Sequence, residues 1–398
     1  MSSVADVRNK RAAARADGTP EEGAREFLGA YRVPQILARS HAAGPRYSTG
    51  ISKLDEVLRK ELDGNNPARL GTPLGRILSF IAPPHVGKSV AVDQCAFSFA
   101  KQGLRVVILV QDEPREDAAE RIGQQAGFRH AELNADYPDT LARVAAAVEL
   151  LDISILPDDD EEENGRVTIE DASRFLLSVP NPKGYVLVVD SLHRAVSEKE
   201  KDDDPPRVQV RQRMEACRSL RKRGVLVLLT VEANRSFYVS KDPAARTSAM
   251  GAGAESRDIE YASDVQLVLT REDSTGIVTV EHPKNRIGRK TVGSFSLRLN
   301  QGPAQFTPVS DEAAKAEVDG RRAEALFAVG DLILDWLQEE APENGASMDR
   351  IQRQSGVRPR ADLRAALKMA VQDARIEKFP APGSKGGGGS WYRPARPK

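Results

Sequence analysis

The segment from Ala82 to Ser89 restricts the possible folds of this chain more than any other stretch, because its sequence APPHVGKS stands between a β-type apolar run and a helical pattern. The apolar run is RILSFI at Arg76 to Ile81, and the VAVDQCAFSFA that follows the segment has the apolar spacing of a helix. A loop between such elements turns successive backbone N–H groups and the helix N-terminus toward phosphate groups. The segment therefore predicts a phosphate-binding α/β domain.

Two residues of this loop carry the expected chemistry. Lys88 is expected to neutralise phosphate charge and Ser89 to ligate magnesium, so ATP and Mg2+ are the expected ligands. The usual pattern is G-x-x-x-x-G-K-S/T, and Ala82 stands in place of its first glycine, which narrows the backbone conformations open to the turn. The residues expected to contact the nucleotide are Ala82, Pro83, Pro84, His85, Val86, Gly87, Lys88, Ser89 and Val90.

Apolar runs alternate with helical patterns over residues 47–310, which is typical of a parallel sheet covered by helices. The predicted strands are Arg76 to Ile81, Val106 to Val110, Ile153 to Leu156, Tyr185 to Val189, Val225 to Thr230, Val265 to Thr270 and Ile277 to Glu281. We therefore expect an α/β domain with a mostly parallel central sheet.

The composition limits the remaining function classes. The 398 residues suffice for one large domain and a smaller one. No apolar run reaches the roughly 20 residues of a membrane span, and no apolar core of a secretory signal follows the basic N-terminus, so we expect a soluble cytoplasmic protein without a membrane partner. Only two cysteines occur, Cys95 and Cys217, and neither has partners at metal-ligand spacing, so neither a zinc site nor a disulfide framework is expected.

Two carboxylates follow predicted strands at positions suited to catalysis. Glu113 comes just after Val106 to Val110, where open parallel sheets place their ligand-facing groups. A carboxylate there can orient and deprotonate the water that attacks a γ-phosphate, and the neighbouring Asp112 is the competing candidate. Asp190 ends YVLVVD, a run typical of a buried central strand, and fits a carboxylate that holds magnesium.

A further predicted strand, VLVLLTVEANR, ends in polar residues that are candidates for sensing the γ-phosphate. These residues are Thr230, Glu232, Asn234 and Arg235. The loop that follows, from Ser236 to Gly253, is rich in small and basic residues, and the alternative to a functional role is a surface loop that binds nothing. The candidates for DNA contact in this region are Arg235, Lys241 and Arg246.

Lys284 and Arg286 lie two residues apart in HPKNRIGRK, so on an extended segment both side chains point to one side. Such a pair can reach an ATP held by an adjacent subunit and stabilise the charge of the transition state. The alternative is a basic turn without a ligand.

The order of these motifs resembles the RecA-like ATPase domain of the DnaB-type replicative helicases and their plasmid RepA-like relatives, over roughly residues 47–300. YSTGISKLDEVL looks like the motif with which that domain begins, and APPHVGKS resembles the DnaB version of the phosphate loop, in which alanine also replaces the first glycine. By this resemblance Glu113 matches the catalytic glutamate and Asp190 the Walker B aspartate. Lys284 and Arg286 match the pair that acts on a neighbour's ATP.

The resemblance also implies an assembly, and at one position this sequence differs from the family's motif. It implies a homohexameric ring with ATP at the subunit interfaces and single-stranded DNA in the central channel. Residues 1–20 are polar and rich in Ala and Arg without an apolar face, which predicts a disordered tail. A helical pattern begins at Glu21, and by the resemblance we expect 21–46 to be a linker helix segment that docks on the next subunit. VEANR is similar to the family's SQLNR motif, but Glu232 replaces glutamine, and a carboxylate near a γ-phosphate repels it unless it is paired or protonated.

After about Lys315 the pattern changes to three helices, a strand, a glycine-rich turn and a returning strand, which predicts a winged helix at 320–398. The predicted elements are helices at Ala323 to Glu340, Ser347 to Gln354 and Arg360 to Ala374, and strands at Arg375 to Phe379 and at Trp391 and Tyr392. Basic residues outnumber acidic ones from Ser347 onward. Arg358, Arg360 and Arg364 suit contact with duplex phosphates, although winged helices also dock proteins.

Together these patterns predict a RecA-like ATPase domain at 47–312 and a winged helix at 320–398, in an ATP-dependent DNA helicase or translocase of a phage, plasmid or mobile element. The alternative is a RecA-like ATP switch, such as a recombination mediator or a DNA-binding regulator. A third interpretation keeps nucleotide binding without hydrolysis, with Glu232 as its support. The expected partners are DNA, further copies of the chain, and replication or recombination proteins.

Overall fold

The computed structural model describes residues 44–59, 70–133, 138–157, 159–160, 165–201, 203–234, 257–271, 275–288, 293–300, 302–340, 344–355, 360–380 and 390–395. The chain divides into two units at Arg46, and all elements below except the start of β1 belong to the second unit, Tyr47–Lys398. The predicted tail at 1–20, nearly all of the predicted linker helix, and the DNA-contact candidates Arg235, Lys241, Arg246 and Arg358 lie outside the described residues.

A nine-stranded sheet forms the centre of the structure, in the order β13-β12-β11-β10-β3-β9-β8-β4-β5. The strands from β10 to β5 in this order are parallel, and β11, β12 and β13 are added to β10 in antiparallel fashion. Its strands are β3 (Ile77–Ala82), β4 (Arg105–Val110), β5 (Ile153–Leu156), β8 (Tyr185–Asp190), β9 (Leu226–Glu232), β10 (Val265–Arg271), β11 (Ile277–Asn285), β12 (Ser294–Asn300) and β13 (Gln305–Val309). The seven predicted strands are confirmed, whereas β12 and β13 were not predicted.

Helices cover both faces of this sheet, which is why its central strands are buried and mostly apolar. In β3, Leu78 and Phe80 pack into one core cluster together with Phe99 of a covering helix. Ile77 and Ile81, which alternate with them, pack into a second cluster on the opposite face. The helices are α1 (Ser52–Leu58), α2 (Lys88–Lys101), α3 (Arg115–Gln125), α4 (His130–Leu133), α5 (Pro138–Val148), α6 (Ile169–Ser178), α7 (Pro206–Lys222) and α8 (Arg257–Ala262).

Hydrogen bonds connect the segment before β3 to α2. Buried Asp55 accepts hydrogen bonds from the Thr49 backbone N–H and hydroxyl, both at 2.7 Å, and from the Ser48 hydroxyl. Gln102 of α2 donates to the Ser48 carbonyl oxygen at 2.8 Å. The YSTGISKLDEVL motif therefore stabilises the position of the helix that follows the phosphate loop. Four short strands form two further two-stranded sheets: β1 (Arg46–Tyr47) pairs with β2 (Thr72–Pro73), and β6 (Asp159–Asp160) pairs with β7 (Gly165–Arg166).

The C-terminal part contains three helices and a three-stranded antiparallel sheet in the order β14-β16-β15. These elements are α9 (Asp311–Glu340), β14 (Ala346–Ser347), α10 (Met348–Ser355), α11 (Arg360–Gln372), β15 (Ile376–Pro380) and β16 (Ser390–Pro394). They share a core that includes Ile333, Leu363 and Tyr392. The elements follow the predicted order, but α9 starts at Asp311 instead of Ala323 and runs through the predicted boundary between 312 and 320. The winged-helix assignment itself stays a prediction.

Among the described residues, no helix is both long enough and apolar enough to cross a membrane.

Candidate active site

The phosphate loop joins the buried end of β3 to the start of α2, as predicted from its sequence. Ala82 is the last residue of β3, and Gly87 caps α2 with a φ of 103°, a left-handed conformation that favours glycine. A Cβ on Gly87 would also lie 3.0 Å from the Phe306 ring and 3.2 Å from Leu299. The backbone conformation therefore favours glycine here, and the neighbouring side chains leave little room for a Cβ. His85 also adopts a positive φ, of 62°.

Lys88 folds back over the loop. Its Nζ donates to the carbonyl oxygens of Ala82 at 3.0 Å and Pro83 at 3.1 Å. Burial lowers the pKa of the Lys88 ammonium, and the carboxylates of Asp190, Glu232 and Asp112 oppose that shift. The ammonium therefore lies in the field of three carboxylates at the carboxyl edge of the sheet, where phosphate oxygens can replace its loop carbonyl partners.

Asp190 is held at the end of β8, next to the phosphate loop. It is buried, and its carboxylate accepts a hydrogen bond from the hydroxyl of Thr230 on the adjacent strand β9. The backbone N–H of Gln111, after β4, donates to the Asp190 carbonyl oxygen at 2.6 Å. Asp190 is thus fixed by both neighbouring strands. Thr230 was a candidate sensor of the γ-phosphate in the sequence. In the structure it is fully buried, and its hydroxyl is hydrogen-bonded to Asp190.

Glu113 is bound by a residue that the sequence did not single out. Arg121 of α3 donates from Nη1 to Glu113 Oε2 at 3.2 Å and from Nη2 to Oε1. Arg121 Nε donates to Asp93 of α2 at 2.6 Å. Burial raises the pKa of the Glu113 carboxyl above its ordinary value, and the hydrogen bonds from Arg121 oppose the rise.

Asp112, the competing candidate for the base, is in a different environment. Its side chain is 44% exposed, against 24% for Glu113, and it forms an ion pair with Arg194 at 3.4 Å. A base that works on a bound nucleotide needs a partly desolvated, oriented carboxylate. The surroundings of Glu113 meet that requirement better.

Glu232 ends β9 directly beside the loop, in register with Ala82. Its side chain is exposed, and its backbone N–H donates to His193 Nδ1 at 3.3 Å. Its carboxylate contributes to the field around Lys88. Glu232, which stands where the SQLNR motif has glutamine, therefore adds a negative charge near Lys88.

Lys284 and Arg286 lie at the opposite edge of the sheet. The strand β11 is antiparallel to β10, so Lys284 pairs with Gln266 near the start of β10. The Arg286 N–H donates to the carbonyl oxygen of Asp264 at 2.9 Å, and the Asp264 N–H donates in turn to that of Ile77, the first residue of β3. From Ile77 to Ala82, β3 spans roughly 16 Å at about 3.3 Å per residue. The structure therefore does not bring this pair to the phosphate loop of its own chain.

The two side chains differ in exposure. Lys284 is partly buried and donates to the Glu260 carbonyl oxygen, and its pKa is lowered by burial and by the nearby Arg286. Arg286 is exposed. Arg286 is thus the more available of the two for another molecule.

The remaining basic candidates lie in the C-terminal part. Arg364 is exposed on α11, and Arg360 is the first residue of that helix. The side chain of Arg360 lies outside the described part of the chain.

No protein-family model and no curated protein sequence matches the chain. Comparison of its structure with solved structures gives clear matches. One is a DnaB-like replicative helicase, in a structure that also describes its interactions with primase; it is 16% identical, with 77% of this chain and 75% of that chain covered and a TM-score of 0.56. Another is the ATPase domain of a second helicase, 17% identical, with 70% of this chain and 97% of that chain covered and a TM-score of 0.55. The chain has the RecA-like α/β fold of the DnaB-type helicase ATPase domains.

Proposed function

We propose that this chain is an ATP-dependent DNA helicase or translocase that works as a ring of identical subunits. The observation that carries the proposal is the separation of two groups of side chains. Lys88, Glu113 and Asp190 converge at the carboxyl edge of the sheet, whereas Lys284 and Arg286 lie at the other edge. One ATP can meet both groups only if two subunits share it.

Within one subunit, the geometry supports the following proposed roles. The backbone N–H groups of the phosphate loop and the Lys88 ammonium bind the phosphates. The Glu113 carboxylate, with its pKa raised by burial, takes the proton of the attacking water. Bond formation from water oxygen to the γ-phosphorus and departure of ADP then complete hydrolysis.

The residues expected to hold Mg2+ fit that ion in their donor chemistry. Ser89, in the first turn of α2, and Asp190 supply hydroxyl and carboxylate oxygens, the hard ligands that Mg2+ prefers. The hydrogen bond from Thr230 orients the Asp190 carboxylate, as partners of metal ligands usually do. When bound, Mg2+ would neutralise charge on the phosphates.

Between subunits, Arg286 and Lys284 act on the ATP of a neighbour, where cations stabilise the negative charge of the transition state. A homohexamer is the assembly that we propose, with single-stranded DNA in its channel and Arg235, Lys241 and Arg246 as its contacts. The DnaB-like helicase of the comparison interacts with primase, and we extend to this chain a role in replication of a phage, plasmid or mobile element with replication proteins as partners.

Glu232 favours a second candidate, a RecA-like ATP switch that assembles on DNA without unwinding it. A carboxylate beside Lys88 competes with phosphate for the ammonium and repels the γ-phosphate. Such a site suits slow turnover better than rapid translocation.

Strand displacement on a forked DNA substrate separates the candidates. The helicase proposal predicts displacement that requires ATP and is lost in Glu113→Gln. ATP turnover without displacement would support the switch. Nucleotide binding with no turnover would contradict both and favour the interpretation without hydrolysis.

A further inference from the structure

Two buried or half-buried charged side chains, Asp93 and Arg121, connect the helix α2 to Glu113. Asp93 lies on α2, five residues after Lys88, and is 1% exposed. Arg121 lies on α3, with a side chain that is 15% exposed, and it contacts Asp93 with Nε and both oxygens of Glu113 with its two terminal nitrogens. Neither Asp93 nor Arg121 belongs to the proposed set of groups that touch ATP.

The geometry of this triad limits what Glu113 can do. Because both of its oxygens accept from one planar guanidinium, the carboxylate is held in one orientation. The guanidinium is held in turn from the α2 side by the 2.6 Å hydrogen bond to Asp93. The position of Glu113 is therefore coupled to the helix that carries Lys88 and Ser89.

We infer that Arg121 is a positioning residue for the proposed catalytic base, and that Asp93 anchors Arg121 so that the distance from Glu113 to the phosphate-binding helix is fixed. This inference rests on the proposed function, because it assumes that Glu113 takes the proton of the attacking water. It extends the proposal with a second layer of residues that act on the rate of hydrolysis through Glu113 and do not touch the nucleotide.

The alternative is a purely structural role, in which the buried ion pair of Asp93 and Arg121 only holds α2 against α3. Both roles predict that loss of Arg121 destabilises the fold, because Asp93 would be left buried without a cation. They differ in kinetics. A positioning role lowers kcat at constant ATP affinity, whereas a structural role lowers the amount of folded protein without changing the kcat of what remains.

The test is ATP turnover by the full chain with Arg121→Gln and Arg121→Lys, with folded protein quantified by nucleotide binding. Arg121→Gln should lower kcat by about tenfold to a hundredfold, as expected when a reacting group shifts by about 1 Å, and should leave the KM for ATP unchanged. Lysine keeps the charge but not the planar fork, so Arg121→Lys should give an intermediate kcat. Arg115→Gln is the matched control, since Arg115 is an exposed arginine on the same helix that pairs with Glu116 at 3.2 Å.

A double-mutant cycle with Glu113→Gln decides whether Arg121 acts through Glu113. In single-turnover hydrolysis, Arg121→Gln should cause no further loss once Glu113 is already glutamine. An additive loss, an unchanged kcat in Arg121→Gln, or a raised KM at unchanged kcat would each overturn the inference and leave the proposed function standing. If Arg121→Gln does not fold, Arg121→Lys enters the same cycle. Full turnover by Glu113→Gln alone would instead overturn both the inference and the proposed role of Glu113.

Discussion

The Thr230 hydroxyl donates a hydrogen bond to the Asp190 carboxylate, and both side chains are buried where two parallel strands end beside the phosphate loop. A carboxylate held in this way presents its remaining lone pairs in a fixed direction. In a site for Mg2+, the carboxylate then loses less conformational entropy when it binds the ion, because the hydrogen bond already fixes its orientation.

Thr230→Val removes this hydrogen bond while it keeps the shape of the side chain. We expect the Mg2+ concentration for half-maximal ATP turnover to rise by roughly tenfold, in the lower part of the range for partners of metal ligands. The measurement is a Mg2+ titration of turnover at saturating ATP. Thr72→Val is the control, because Thr72 is equally buried but precedes β3 at the other end of the strand. An unchanged Mg2+ requirement in Thr230→Val would contradict the assignment of Asp190.

The raised pKa of Asp93 predicts that the free energy of unfolding depends on pH. Complete burial raises its pKa from 3.8 to about 7, although Arg121 opposes the rise. The folded state therefore retains a proton that the unfolded chain releases, so the contribution of Asp93 to the free energy of unfolding falls as pH rises from about 4 to about 7.

Asp93→Asn removes this titration, so the stability of the variant relative to the wild type should increase over that pH range and level off above it. Urea denaturation at a series of pH values measures the difference. Asp117→Asn removes an exposed carboxylate from the neighbouring helix and serves as the control. A stability difference that does not change with pH would contradict the assigned pKa.

The proposed role of Arg286 predicts that two inactive variants restore ATP turnover when they are mixed, because each subunit interface combines residues of two subunits. Arg286→Ala and Glu113→Gln should each lose ATP turnover alone. When the two are mixed in equal amounts, about a quarter of the head-to-tail interfaces combine an intact Glu113 with an intact Arg286, so turnover should return in that proportion. Arg223→Ala is the control, an exposed arginine that directly follows α7 and should keep turnover by itself. Mixtures that stay inactive would place Arg286 outside the shared site.

Exposed Arg364 and Lys368 on α11 test the role of the C-terminal part. If this helix contacts duplex phosphates, Arg364→Ala with Lys368→Ala should reduce the slope of log affinity against log salt by about two, since each phosphate contact contributes about 0.9. Duplex binding at several salt concentrations measures the slope. Lys222→Ala with Arg223→Ala removes two exposed charges elsewhere. An unchanged slope would favour protein docking over DNA binding.

The central strands and their order along the chain could be predicted, because strands that are buried on both faces of a sheet contain nearly continuous runs of apolar residues. Asp190 was found for the same reason, as the first charged residue after such a run. The strands β12 and β13 were missed because the other strands were recognised as continuous apolar runs, and neither SFSLRLN, in which apolar and polar residues alternate, nor QFTPV contains such a run.

The residues that the sequence did not indicate depend on contacts between distant elements. Arg121 is eight positions after Glu113, and Asp93 lies on another helix, so only the packing of α2 against α3 brings the three together. The spacing of Lys284 and Arg286 predicted a shared direction but not the edge of the sheet, which follows from the antiparallel pairing of β11 with β10.

The most direct test of the central claim is phosphate release from ATP by the full chain, with and without single-stranded DNA, in the wild type and in two lysine variants of α2. We expect turnover that DNA stimulates, an equal rate in Lys101→Ala at the far end of the helix, and no turnover in Lys88→Ala. Equal phosphate release by Lys88→Ala and the wild type, or none by the wild type, would contradict the central claim.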